Sequence, residues 1–264
     1  MNIVIFGATG GTGRHLIEQA LDQGHKVTAF DRNPAALTLE HPNLSFIKGD
    51  VFNQAEVDAA VAGQDAVICV LGVRPTTQAP VCSTGTENII SAMQKAGLKR
   101  FICQTAFVVA ALDGERKEVS WVLPLMLALF PKTKAMFADK VRQEQIVRQS
   151  DLDWIIIRPA RLIDGPQKGK YKVGNHLSID MNAKITRADV ADFILKLFDF
   201  GTLELDDLLA VLADDVVMVR MLGVVGIVKL VVFAEIHLAD QPALRQQRQG
   251  AINSRAGNRF VPAA

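Results

Sequence analysis

Short apolar runs alternate along this chain with amphipathic stretches, and glycine, proline or a polar turn marks each switch. Residues 3–6, Ile-Val-Ile-Phe, read as a buried strand. Residues 14–21 then carry helical spacing, and Gly24 reads as the stop. Residues 26–30 and 44–48 read as the second and third strands, and 54–62 as a short helix with Val57 and Val61 inward. Residues 65–71, DAVICVL, are continuously apolar, as in a parallel sheet covered on both faces. Residues 84–97 predict a helix with Ile89, Ile90 and Met93 as its apolar stripe and Gly97 at its end. A fifth strand follows at 100–104, a long helix at 134–148, and a sixth strand at 153–158 closed by Pro159. Residues 186–189 look like a helix start, with Val190, Phe193, Ile194 and Leu197 as the core face. This alternation predicts an α/β fold, a Rossmann-like doubly wound parallel sheet with helices on both faces.

Three segments depart from the alternation. Residues 106–133 hold a charged knot at 113–118 and then an apolar stretch at 121–131. An excursion of this length over the rim of a sheet reads as a substrate-covering flap, with a packed helical insertion or a dimer patch as the alternative. Residues 166–174 are turn-rich around Tyr171, the single tyrosine. Beyond Phe200 the chain is rich in valine and leucine without a clean period, and 241–264 has four arginines and no acid, like a disordered tail. The expected organisation is one domain over 1–200, including the flap, and an atypical extension over 201–264.

Composition narrows the function classes. A length of 264 residues and a hydrophobic share of 49% suit one large α/β domain, with or without an appendage. A formal net charge of +1 gives no global attraction to nucleic acid or to an anionic membrane, and no apolar run is long enough to span one. Cys69, Cys82 and Cys103 form no CxxC pair, and Cys69 and Cys103 sit in apolar runs as buried strand residues would. That set fits a reducing cytosol, and the first apolar run is too short for a signal peptide. A cytoplasmic protein is therefore expected. The five histidines show no metal-ligand spacing. The expected partner is a small-molecule substrate, with neither nucleic acid nor membrane, and the oligomeric state is not legible.

The candidate chemistry sits where strands end. Between the first strand and first helix lies GATGGTGR, with Gly7, Gly10 and Gly13 at GxxGxxG spacing. Gly7 permits a tight turn, Gly10 lets a diphosphate approach the backbone, and Gly13 lets helix and strand lie close. Gly7, Thr9, Gly10, Gly11, Thr12 and Gly13 form the candidate phosphate cradle, because the first N–H groups of the helix lack partners there. The second strand ends at Asp31-Arg32. An acid at this place binds both ribose hydroxyls and favours NAD, whereas an arginine pairs with the 2′-phosphate of NADP. Both are present, so the signal is mixed. Asp50 and Val51 could meet the adenine edge or could cap the following helix. Leu71 and Gly72 end the fourth strand, where a small residue lets the backbone approach the nicotinamide ribose. Thr105 follows the fifth strand, at the edge where open α/β sheets place ligands.

With these residues in view, positions 1 to about 200 resemble the atypical short-chain dehydrogenase/reductase group that contains NmrA-like proteins and the biliverdin-IXβ reductase/flavin reductase branch. The resemblance is carried by GATGGTGR at 7–14, DRNP at 31–34, GDV at 49–51, GQDAVICVLG at 63–72, TENIISAM at 86–93, FICQTAF at 101–107, residues 138–165 and TRADVADFIL at 186–195. It implies an NAD(P)-binding core and reductase chemistry. It implies NADP as the cofactor, with NAD possible, since Arg32 falls where the flavin-reductase branch carries its phosphate-binding arginine, although Asp31 departs from that branch. Gln104 and Thr105 match the strand-end pair beside the nicotinamide, and Pro159 matches the proline after the sixth strand. The wider family places a tyrosine four residues before a lysine on the long helix. Here Lys140 stands after Met136, and that lysine reads as a solvated helix residue. The tyrosine that protonates an alkoxide is absent, which leaves solvent or Thr105 to deliver a proton.

The leading expectation is an NAD(P)H-dependent reductase that passes hydride to a planar conjugated acceptor such as a flavin, quinone or tetrapyrrole-like molecule. The alternative is an NmrA-like dinucleotide-sensing interaction protein. A sugar-nucleotide epimerase or dehydratase is less favoured, because that chemistry needs the missing tyrosine.

Overall fold

Period-two burial identifies the first strand as a central one. In β1 (Asn2–Phe6), Ile3 and Ile5 enter one apolar cluster while Val4 and Phe6 enter another. All four are fully buried, so both faces of the strand are covered. The computed structural model describes residues 1–73, 80–112, 128–174, 183–199 and 212–221, all within one compact unit, Met1–Gly223. Within it, β1 pairs in parallel with β2 (Lys26–Asp31) and β4 (Ala66–Cys69). β2 pairs with β3 (Leu44–Lys48), β4 with β5 (Arg100–Gln104), and β5 with β6 (Asp153–Pro159), all in parallel. The order β3-β2-β1-β4-β5-β6 reverses direction between β1 and β4. That reversal opens a crevice at the carboxyl ends of the strands. The fold is the Rossmann-like parallel sheet that the alternation predicts.

Helices cover the two faces in sequence-legible fashion. α1 (Gly11–Asp22) brings Leu16, Ile17 and Ala20 to the face of Ile3 and Ile5. On the other face, α2 (Gln54–Val61) brings Val57 and Val61, and α3 (Val81–Ala96) brings Ile89, Ile90 and Met93. α4 (Val108–Leu112) is short, and α5 (Pro131–Gln149) returns the chain to β6. β7 (Arg161–Ile163) pairs with β9 (Lys184–Thr186) as a separate two-stranded ribbon. The last helix, α6 (Arg187–Asp199), adds Val190, Phe193, Ile194 and Leu197 to the cluster beside α1. Each fully buried leucine, isoleucine or phenylalanine contributes about 1.5–3 kcal/mol of transfer free energy.

Two elements lie where local pattern predicts only turns or no period. β8 (Tyr171–Gly174) pairs in parallel with β10 (Leu212–Met221), and β10 runs antiparallel to β6 at the sheet edge. A four-residue strand needs its neighbour to exist, and that neighbour is far along the chain. Tyr171 is buried, and its hydroxyl donates to Asp192 Oδ2 at 2.7 Å, which fastens β8 to α6. Residues 113–127 of the expected flap lie outside the described residues, as do 201–211 and 222–264, including the tail at 241–264.

Candidate functional site

Because strands β1 to β6 are parallel, the residues following each reach the same edge of the sheet. Gly7 to Gly13 follow β1, Asp31 and Arg32 end β2, Asp50 and Val51 follow β3, Leu71 and Gly72 follow β4, Gln104 and Thr105 end β5, and Pro159 ends β6. The structure gathers every site residue expected from the sequence at this one rim. A cavity of about 340 Å³ lined by Asn2, Lys26, Thr28, Asn43 and Gln64 lies at the opposite, amino-terminal edge and touches none of them.

The glycine turn is built by close approach. Gly7 has φ +87°, and a Cβ there would lie 2.8 Å from the Val70 carbonyl oxygen. A Cβ on Gly13 would lie 2.3 Å from the Gly7 oxygen, so α1 can start only against this turn. Gly10 is different. It has φ −68° and ψ 163°, which any residue adopts, and a Cβ on it meets only the Gly7 oxygen at 3.1 Å. Gly10 and Gly11 are exposed, Gly10 offers α1 no side-chain cap, and the first turn of α1 carries no acid. The helix therefore presents uncapped N–H groups and its positive dipole end, over a surface where Gly10 and Gly11 themselves carry no side chain. Clearance and donor set both fit a diphosphate.

Thr9 and Asp31 join the turn to β2. Thr9 Oγ1 donates to Asp31 Oδ2 at 2.8 Å, and Thr9 N–H donates to the same oxygen at 3.3 Å. The Asn33 N–H takes the other oxygen at 3.2 Å. Arg14 adds a second brace, from Thr9 O at 3.1 Å to Ala36 O at 2.8 Å. Arg32 is exposed next to this braced turn. Asp50 Oδ1 accepts from the Phe52 N–H at 3.1 Å, and Val51 is buried with its carbonyl held by Asn88 Nδ2 at 2.7 Å. A Cβ on Gly72 would meet nothing within 4 Å, so the backbone beyond β4 is open to a ligand.

Beneath the other half of the rim runs a buried polar stripe that the sequence reading missed. α5 buries Asp139, Lys140, Gln143 and Glu144. Lys140 is 7% exposed rather than solvated. Its Nζ donates to Leu71 O at 2.7 Å, Gln104 O at 3.1 Å and Gln143 Oε1 at 3.0 Å. The lysine thus ties the end of β5 to Leu71, two residues past β4. Gln143 in turn donates to Thr86 Oγ1 at 2.9 Å. Thr105 Oγ1 donates to Glu144 Oε1 at 2.6 Å, and Glu144 is held by Arg158 and Arg148, with Nη2 of each within 2.6 Å of Oε2. Met136, four residues before Lys140, is half-buried. Gln104 is buried, and its Oε1 has no hydrogen-bond partner. Asp139 accepts the N–H groups of Cys82 and Ser83 at 2.9 Å each. A signal for the stripe existed. Residues 139–145 hold one apolar side chain, Val141, so a helix packed there has to bury polar side chains.

Three buried thiols adjoin Lys140. Cys69 and Cys103 are Cα partners across β4 and β5. Burial pushes the Cys103 thiol up, and the hydrogen bond from Cys103 holds the Cys69 thiol below its ordinary value. Burial also pushes Cys82 up, to about 11. Among the described residues there is no group of histidine, cysteine and carboxylate side chains that could hold a metal ion, and no helix long and apolar enough to cross a membrane.

The family model for NAD(P)H-binding proteins matches residues 7–200. The chain belongs to the NAD(P)H-binding family. The atypical short-chain dehydrogenase/reductase resemblance of the sequence agrees with it. An uncharacterized chloroplastic protein of Arabidopsis thaliana is 30% identical over 177 residues, which are 63% of this chain and 61% of that protein. The photosystem II assembly factor Ycf39 of Synechocystis is 28% identical over 169 residues, 62% of this chain and 46% of that protein. The aligned stretch thus spans less than two thirds of either relative. Among solved structures, ChuY, an anaerobillin reductase from Escherichia coli O157:H7, shares the fold with a TM-score of 0.63 and 23% identity, covering 85% of this chain and 98% of that one.

Proposed function

We propose that the protein is an NAD(P)H-dependent reductase that delivers hydride to a planar conjugated acceptor, a flavin, quinone or tetrapyrrole-like molecule. The observation that carries this reading is the contrast across the rim. The diphosphate end offers Gly10, Gly11 and the uncapped start of α1, while no free acid stands at the reactive end among the described residues. Met136 stands where a tyrosine would stand, Lys140 is consumed by three acceptors, and the Thr105 proton is held by Glu144. A bound reduced nicotinamide supplies hydride. The chain supplies position: Gly72 opens the approach, Lys140 and Glu144 fix the strand ends, and Gln104 Oε1 stands ready to accept a hydrogen bond. Thr105 is the candidate catalytic residue at this end, acting by position, with the proton drawn from solvent. Orientation of this kind lowers a barrier by up to about 7–11 kcal/mol without a general acid.

The same reading assigns NADP as the preferred cofactor. Asp31 is occupied in bracing Thr9 and Asn33, which leaves the ribose phosphate to the exposed Arg32. Arg32→Ala is expected to weaken NADPH more than NADH by about 1.5–3 kcal/mol, the range for a charge-assisted contact. Equal weakening of both would remove the assignment. The reaction is tested by steady oxidation of NADPH with FMN, a quinone or a linear tetrapyrrole present. Turnover with one of them supports the reductase.

Tight NADPH binding without turnover on any acceptor favours the second reading, a dinucleotide-sensing assembly or regulatory protein. Two observations recommend keeping it: Met136 in place of the tyrosine, and a relative whose name is that of an assembly factor. A partner captured with NADPH and released with NADP would establish it.

A further inference from the structure

The start of α6 carries a cation where helix electrostatics disfavours one. Arg187 is its first residue, at the positive end of the helix dipole. Its stem also lies on the start of a second helix, α1. A Cβ on Gly11 would lie 2.5 Å from Arg187 Cδ, 2.8 Å from Nε and 3.6 Å from Cζ. Two positive helix ends and a guanidinium therefore converge beside the candidate phosphate cradle. The anion that answers them is weakly held. Arg187 Nη1 donates to Asp164 Oδ1 at 2.6 Å, but the Asp164 side chain is 89% exposed and that of Arg187 only 26%. Asp189, the acid in the first turn of α6, is already committed to the Thr186 hydroxyl and to the N–H groups of Lys168 and Gly169.

We propose that Arg187 is a diphosphate-binding residue, closing on the dinucleotide from the α6 side of the Gly10-Gly11 cradle, and that Asp164 competes with the diphosphate for its guanidinium. The inference rests on the dinucleotide reading above and adds a residue to it. A guanidinium gives two parallel donors to adjacent phosphate oxygens, which a lysine does not. An ion pair as exposed as Arg187–Asp164 is worth little, so its exchange for a dianion beside two helix ends is favourable. Gly11 is thereby explained as clearance for this side chain and not only for the ligand. Arg187 contacts a part common to both nicotinamide nucleotides, so it has no say in NADP against NAD. In this it differs from Arg32.

The test is binding to the full chain of NADPH and NADH, by calorimetry, and of adenosine, by saturation-transfer NMR, for wild type, Arg187→Gln, Arg187→Lys and Asp164→Asn. Arg187→Gln is expected to weaken NADPH and NADH alike, by about tenfold or more, and to leave adenosine unchanged. Arg187→Lys falls between wild type and Arg187→Gln, and Asp164→Asn binds both dinucleotides at least as tightly as wild type. Binding of NADPH by Arg187→Gln within about twofold of wild type would overturn the assignment. So would a parallel loss of adenosine, since the effect would then not be at the diphosphate. A loss in Asp164→Asn equal to that in Arg187→Gln would overturn the competition. Failure of the wild type to bind either dinucleotide would instead strike the underlying reading, and is distinguished by appearing before any substitution is made.

Discussion

Asp139 offers a test of how the rim is held. α3 begins after Pro80, which gives it no side-chain cap. Its first turn is capped from another helix, by Asp139 of α5, whose two oxygens accept the N–H groups of Cys82 and Ser83 at 2.9 Å each. Both donors are buried and Asp139 is 9% exposed, so water cannot readily replace the carboxylate. Asp139→Ala strands two buried N–H groups, each costing about 1–3 kcal/mol. The charge at the helix start is worth up to about 2 kcal/mol, but it acts through the same two bonds and is not added again. The net expectation is a loss of about 2–4 kcal/mol, the low end applying if the site relaxes toward the surface. For a domain of this size that lowers Tm by about 5–15 °C. Asp139→Asn keeps one accepting oxygen and is expected to lose less. Equilibrium unfolding in urea reads both variants, with an unchanged m-value as the check that only the native state was altered. A loss in Asp139→Ala below about 1 kcal/mol would refute the claim that α5 caps α3.

Other outcomes follow from the same geometry. Burial, aided by the hydrogen bond to Asp192, holds the Tyr171 phenol above its ordinary value. The native chain then keeps a proton that the unfolded chain releases above about pH 10, so this stability is complete below that pH and falls as pH rises through it. Tyr171→Phe is expected to cost about 1–3 kcal/mol at neutral pH and to flatten the alkaline fall, read by urea unfolding at a series of pH values; an unchanged slope would contradict it. The three cysteines are free and buried, so Ellman's reagent should find none in the native protein and three after unfolding in guanidinium. A thiol that titrates rapidly in the native state would show that the cluster around Lys140 opens.

Legibility in the sequence followed the range of the interactions involved. Strands β1, β2, β4, β5 and β6 and helices α1, α2, α3 and α6 each announce themselves by an apolar run or stripe, because each buries apolar side chains of its own, whereas the edge strand β3 keeps Leu44 and Ile47 only partly buried. Position on a parallel sheet then carried the candidate residues to one rim without any side-chain detail. β8 and β10 were not legible, since each is stabilised by a distant strand rather than by its own pattern. The α5 stripe was misread for the opposite reason. Lys140 looks solvated because buried charge is rare, and only tertiary partners make the stripe tolerable, Leu71 and Gln104 for Lys140 and Thr105 and Arg158 for Glu144. The mixed signal at Asp31 and Arg32 was real in the sequence. The structure gives Asp31 a bracing task that no linear motif reveals.

Cofactor binding at this rim requires a diphosphate lying against Gly10 at the start of α1. Gly10 has a backbone conformation that alanine accepts, and a Cβ there meets only one atom, at 3.1 Å. The Gly7 carbonyl has to give by a few tenths of an ångström, so Gly10→Ala is expected to lower Tm slightly while placing a methyl group in the ligand's path. The deciding measurement is a calorimetric titration of NADPH into wild type and Gly10→Ala. Binding to wild type is expected, with a loss of about tenfold or more in the variant with its fold intact. No binding by wild type, or equal binding by both, would contradict it.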